Sequence, residues 1–243
     1  MTGTKQQVHR TDTQTSSIKI ADVDIEPSDS LKLLGVTYDS NLTFNAHINN
    51  LCKSVNIQLR SINHIRKYLD QPTANIVATT IVASRLDYCN ALLPGITQYN
   101  MKRLQNLQTH AAKIVTKNYQ KHQCNLLKEL HWLSVRHRIE YKISLITFKA
   151  LNTNNPKYLK ELLNPYIPQK SLRSISQFLL QVPTSKSALH DRAYAVVGPT
   201  TFNSLPIHLR QFAFDSESNI NSALTGTFKK QLKTHLFSKY LSS

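Results

Sequence analysis

The sequence predicts a mainly α protein. A helical bundle is preceded by a short β-hairpin or strand segment and followed by an irregular α+β C-terminal extension. Three observations predict it. Apolar residues recur at steps of 3 and 4 through most of 41–163. Short β-branched runs broken by small turns fill 17–40. After 163, Pro165, Pro168, Pro183, Pro199 and Pro206 cut the chain into shorter apolar pieces.

The first 16 residues are a polar tail. In SIKIADVDIEPS, Ile18, Ile20 and Ile25 flank Ala21-Asp22, which reads as two short strands. LKLLGVTYD reads as another strand interrupted by Gly35, where a glycine marks a bulge or a close backbone approach.

Thr43 then offers an N-cap. Phe44, Ile48, Leu51, Val55, Leu59, Ile62 and Leu69 trace one apolar face, while Lys53, Arg60, His64 and Lys67 step by 7, 4 and 3 along another. Asp70 can cap the next helix, with Pro72 tolerated in its first turn. That helix runs through Ile76, Thr80, Ile81, Ser84 and Tyr88, and Pro94-Gly95 is its expected stop. A third helix starts near Thr97. It turns Leu104, Leu107, Ala111, Ile114 and Val115 inward and carries Arg103, Asn106, His110, Lys113 and Lys117 on another face.

The stretch 126–151 holds the only tryptophan, Trp132. A short helix reaches Trp132, and a longer one follows a Ser134 cap. On the longer helix Val135, Ile139, Ile143, Ile146 and Ala150 form one face and Arg138, Lys142 and Lys149 a second. Asn154-Asn155-Pro156 turns the chain, and 158–163 forms the last short helix of the bundle. In the 164–243 extension, FLLQVP and AYAVVGP read as irregular apolar pieces with room for one hairpin, and FDSESNINS as a polar loop. Phe228, Leu232, Leu236 and Tyr240 predict a final amphipathic helix beside Lys229, Lys230, Lys233 and Lys239.

Charge narrows the function. The chain has 30 Lys plus Arg against 14 Asp plus Glu, a net charge of +16. Residues 88–128 contain no acid, and neither does 218–243. A field of this sign attracts polyanions, nucleic acid first and anionic membrane second. A merely solvated basic surface is the plain alternative.

The usual marks of catalysis are missing. There is no Asp-Asp or Glu-Asp pair to hold two metal ions. Asp22 and Asp24 come nearest, and a solvated strand edge accounts for them. Ten histidines yield no nucleophile–base arrangement, and His47, His110 and His131 read as surface or capping residues. No phosphate-cradling glycine motif occurs. Cys52, Cys89 and Cys124 form no C-x-x-C pair, and His122, Cys124 and His131 fit no zinc spacing, so no metal site and no cofactor are expected. The cysteines read as small apolar residues of a reducing compartment. With no 18-residue apolar run and no apolar stretch near the N-terminus, the expectation is an intracellular chain, nuclear or cytoplasmic, not secreted and not in a membrane.

Eight blocks in order carry a family likeness: LKLLGVTYDSNLTFNAHI, INHIRKYL, SRLDYCNALLPG, LQNLQTHAAKIV, LKELHWLSVRHRIEYKI, SLRSISQFLLQVP, RAYAVVGPTTFNSLP and FKKQLKTHLF. Together they resemble the C-terminal part of the reverse transcriptase of jockey-type non-LTR retrotransposons (LINE elements). The likeness covers about residue 17 to the end, and GTKQQ fits the segment just before it. Ser134 stands where the family usually has proline, and Phe202 where it usually has tryptophan.

The resemblance implies the last palm strands (17–40), a thumb (41–163) and a C-terminal extension (164–243) of an RNA-directed DNA polymerase. It places the catalytic aspartates and their Mg2+ in palm sequence N-terminal to this region, so no catalytic residue is expected here and the chain alone is expected to be inactive. LKLLGV would correspond to the hairpin gripping the primer end, with Leu33, Leu34 and Gly35 near it. A thumb lies along a template–primer duplex. The expected nucleic-acid-binding residues are Lys53, Arg60, Lys67, Arg103, Lys113, Lys117, Arg138 and Lys142. The expected partner is an RNA–DNA or DNA duplex held by its backbone without sequence preference, with no small-molecule substrate. Aromatics are not interleaved with these stripes, which favours duplex backbone over single-strand stacking. The alternative is a folded helical relic or protein-interaction module that binds no nucleic acid. Convergence of the basic stripes on one concave surface would favour the first reading, and their scatter around the bundle the second.

Overall fold

The computed structural model of the chain describes residues 18–26, 28–168, 177–184, 187–214 and 222–241. The expectations for 1–16, for SLRSIS at 171–176 and for most of the FDSESNINS loop lie outside the described residues.

Two small antiparallel hairpins open the described chain. Strands β1 (Ile18–Ile20) and β2 (Val23–Ile25) pair across Ala21 and Asp22, which both take left-handed backbone at φ 46° and 63°. Strands β3 (Ser30–Leu33) and β4 (Val36–Asp39) pair in the same way across Leu34 at φ 46° and Gly35 at φ 78°. Two positive φ values at a two-residue loop match the right-handed twist of the flanking strands. LKLLGVTYD is therefore a hairpin, and Gly35 is there for its φ, not as a bulge within one strand. Val36 alone of these eight strand residues is fully buried, against the first core.

Helix α1 (Asn45–Ile65) buries Ile48, Cys52, Val55, Leu59 and Ile62, at helical steps along one face. Thr43 stands one residue before the N-cap position, and its hydroxyl accepts from the Asn45 N–H at 3.3 Å. Phe44 is the left-handed N-cap residue, and the Asp39 carboxylate ties the turn by accepting from the Thr43 and Phe44 N–H groups at 2.9 and 2.7 Å. Helix α2 (Gln71–Ala78) has the expected Asp70 cap, accepting from the Thr73 N–H, with Pro72 in its first turn. It runs through a π segment, Thr79–Ala83, into α3 (Ser84–Asp87). Ala74, Ala78, Val82 and Leu86 form the buried edge. The helix ends seven residues before the expected Pro94-Gly95 stop, because Tyr88 is extended and Cys89 turns left-handed at φ 52°.

Helix α4 (Gln98–Thr116) is capped by Thr97 and buries Leu104, Leu107, Ala111, Ile114 and Val115, as the spacing predicts. Helix α5 (Gln123–Glu129) leads to Trp132, and Ser134 caps α6 (Val135–Thr153) by accepting from the His137 N–H. Helix α7 (Lys157–Lys160) is one turn.

Beyond 163 helices dominate. AYAVVGP lies in α8 (Tyr194–Asn203), with Pro199 inside it, followed by α9 (Ile207–Gln211) and α10 (Ser222–Leu241). Among the described residues the strand-like pairing there is the antiparallel Pro165–Leu180 bridge, flanked by hydrogen bonds from the Tyr166 N–H to the Leu179 carbonyl and from the Gln181 N–H to the Asn164 carbonyl. Gly198 lets α8 approach α6 closely. A Cβ there would meet the Tyr194 ring at 3.2 Å and Thr147 Oγ1 at 3.3 Å.

Two apolar clusters result. The first joins the β3–β4 hairpin, α1 to α5 and the start of α6, including Trp132, Val135, Ile139 and Ile143. The second joins the end of α6 (Phe148, Ala150, Leu151) to Phe202, Leu209, Phe228, Leu232 and Leu236. Helix α6 belongs to both, so the expected Val135–Ala150 face is only part of its buried surface. Ser144, Thr147 and Phe148 are buried as well.

Candidate nucleic-acid interface

Helices α1 and α4 pack side by side and parallel. Asn100 Nδ2 donates to Asn45 Oδ1 at 2.6 Å, and Arg103 Nη1 to Asn49 Oδ1 at 2.7 Å, near both N-termini. Near both C-termini the Tyr119 hydroxyl meets Asn63 Oδ1 at 3.2 Å. Arg66 there donates to the Ile114 and Val115 carbonyls at 3.0 and 2.6 Å. At 100° per residue, Lys53 and Arg60 stand within about 40° of Asn49 around α1, and His110 and Lys113 within about 80° of Arg103 around α4. Two of the three expected basic stripes therefore flank one shallow seam.

Lys53, Arg60, Lys67 and Lys117 are exposed there, and Arg103 and Lys113 are half-buried. Neither helix contains an Asp or Glu, and neutral asparagines fill the seam between the cations. Arg103 also lies 5.4 Å over the Tyr99 ring, and Lys67 4.8 Å over Tyr68. Lys67, Lys113 and Lys117 stand at the C-terminal ends of their helices, where a cation also complements the helix dipole.

Arg66, which the stripes did not include, plays a different part. It is 6% exposed and donates to three backbone carbonyls, those of Leu69, Ile114 and Val115. It ties the end of α1 to the end of α4. The signal was present in the sequence: Arg66 lies four residues after Ile62, on the apolar face and not on the basic one.

The third stripe sits elsewhere. Helix α6 meets α4 through Gln105, which accepts from the Val135 N–H at 2.9 Å, and Gln108, which donates to the Leu133 carbonyl at 2.8 Å. These glutamines are on the side of α4 away from Arg103. Arg138 is committed to the Asp87 carboxylate at 2.7 Å and the Leu133 carbonyl at 3.0 Å, with its side chain 15% exposed. Arg138 and Lys142 line a cleft of about 480 Å3 together with Asp87, Asn90, Trp132, Tyr141 and Lys233. Sequence spacing could not bring Lys233 of α10 to Lys142 of α6, because that meeting depends on the second core.

Leu33, Leu34 and Gly35 form the exposed end of the β3–β4 hairpin, at 53% and 80% exposure for the two leucines. The Tyr88 hydroxyl donates to the Leu34 carbonyl at 2.7 Å and anchors the turn. Among the described residues no cluster of His, Cys, Asp or Glu is arranged to hold a metal ion, and no helix is long and apolar enough to cross a membrane.

Compared with protein-family models, curated proteins and solved structures, the chain gives no match.

Proposed function

We propose that the chain is the thumb and C-terminal part of a non-LTR retrotransposon reverse transcriptase, and that it holds a template–primer duplex along the α1–α4 seam. The observation that carries the binding reading is the parallel pairing of two acid-free helices with Lys53, Arg60, Lys67, Arg103, Lys113 and Lys117 along their shared edge. The family itself rests on the eight ordered sequence blocks. From Lys53 to Lys67 the α1 side rises about 21 Å, roughly six base steps of a duplex. Point cations seven residues apart stand about 10.5 Å from one another, near every third phosphate of a strand, and read no bases. The apolar hairpin end at Leu33 and Leu34 is exposed and anchored on Tyr88, and in this reading it meets the primer strand.

The test is binding to a blunt RNA–DNA duplex as a function of salt. Six phosphate contacts give a log–log slope of about −5. Lys53→Ala, Arg60→Ala and Lys117→Ala together should flatten it by about 3 units, with folding unchanged by circular dichroism. Absence of binding at low salt, or an unchanged slope in the triple variant, would leave a folded module with a solvated basic surface.

A further inference from the structure

The α6 cleft gathers aromatic rings and cations around one cavity, whereas Tyr99 and Tyr68 at the seam each lie under a single cation. Trp132 is buried and lines it, with its Nε1 donating to Asn75 Oδ1 at 3.1 Å. That bond fixes the indole plane. Tyr141 and His131 line it as well, half-buried and exposed. Lys142 and Lys233 are exposed at its edge, and among the described residues neither is in an ion pair. The one acid of the lining, Asp87, is already neutralised by Arg138.

Three backbone irregularities meet at the same place. Thr79 begins the π segment, Cys89 is left-handed at φ 52° just before Asn90, and His131 is left-handed at φ 52° just before Trp132. Strained non-glycine backbone and π turns concentrate where a chain is shaped around a ligand. A cleft of about 480 Å3 is of ligand size.

We propose that this cleft binds one unpaired nucleotide, its phosphate between Lys142 and Lys233 and its base against Trp132, Tyr141 and His131. The chemistry required is a planar ring joined to an anion: the ring uses the aromatic lining and the anion uses two cations without carboxylate partners. Base-on-aromatic contact is sequence-tolerant, because every base has a π face. The site is separate from the seam and does not rest on the duplex reading. The nucleotide could be free or part of a strand, and the chemistry is the same.

Trp132 is the only tryptophan, so its fluorescence reports the cleft directly. The full chain is titrated with thymidine monophosphate, with a dT8 oligonucleotide and with a blunt duplex. A saturable change in Trp132 emission is expected with one or both of the first two. Response to the monophosphate identifies a free nucleotide as sufficient; response to dT8 alone identifies a strand. Lys142→Ala with Lys233→Ala should weaken the response about tenfold or more. Thr79→Phe, which fills the cleft without changing charge, should abolish it while blunt-duplex binding persists. The Lys53/Arg60/Lys117 variant should retain it. No saturable response to either ligand, or a response that survives both the lysine pair and Thr79→Phe, overturns the proposal.

Discussion

Arg66 and Lys67 are neighbours in sequence with opposite fates. Lys67 is exposed over a tyrosine ring, whereas Arg66 turns inward and answers carbonyls that end α4. A helix C-terminus leaves its last carbonyls without partners, and the guanidinium fork satisfies two of them at once. No carboxylate bonds to it among the bonds described; carbonyl dipoles meet its charge, together with the charge of the nearby Asp70 carboxylate. Arg66→Met should destabilise the fold by about 3 kcal/mol, because buried carbonyls lose charged donors. Arg66→Lys should recover only part of this, since an ammonium cannot reproduce the fork. Urea midpoints of the three proteins measure the ordering. Equal midpoints for parent and Arg66→Met would show that water serves those carbonyls equally well.

Among elements, the junction between β4 and α1 decides how the hairpin is held against the bundle. Asp39 sits at the end of β4 and closes the turn into α1 through the Thr43 and Phe44 N–H groups and the Thr43 hydroxyl at 3.2 Å. Burial pushes its carboxyl pKa up, but these hydrogen bonds together outweigh burial and hold it below its ordinary value. A depressed carboxyl contributes stability above its unfolded pKa, near 4, and loses it as pH falls through the folded value. Asp39→Ala should therefore cost about 1–2 kcal/mol at pH 7, as loss of a cap does. The gap between parent and variant should close progressively below about pH 4. Urea midpoints at pH 7 and at acid pH test this; a gap independent of pH would assign the cost to packing. The cap at Asp70 was legible in sequence because it is local, an acid two residues before Pro72. The Asp39 cap was not, because it reaches four and five residues across a left-handed Phe44. The same difference runs through the other elements. The inward face of α4 follows from spacing alone. The second buried face of α6, and the helix around Pro199, exist only because α8 and α10 pack there.

At the scale of the molecule, α6 is the element through which the two clusters exchange stability. Its first half buries Val135, Ile139 and Ile143 in the cluster that holds Trp132, and its second half buries Phe148, Ala150 and Leu151 in the other. A helix is a poor place for a break, since interrupting it mid-length forfeits backbone hydrogen bonds on both sides. The two clusters should therefore unfold together although each has its own apolar interior. Phe148 is the sharpest probe. It is 1% exposed and stacks on Phe228 of α10 with ring centroids 3.9 Å apart and planes within 6°. Phe148→Ala should cost about 3–5 kcal/mol through the cavity it leaves. Unfolding in urea is followed by Trp132 fluorescence, which reports the first cluster, and by far-ultraviolet circular dichroism, which reports all helices. With α6 continuous, both midpoints fall by the same amount. If the dichroism transition falls alone while Trp132 holds its midpoint, the 164–243 region unfolds by itself. The α6 cleft, which takes Lys233 from α10 and Lys142 from α6, would then lose one of its cations while the α1–α4 seam stayed intact.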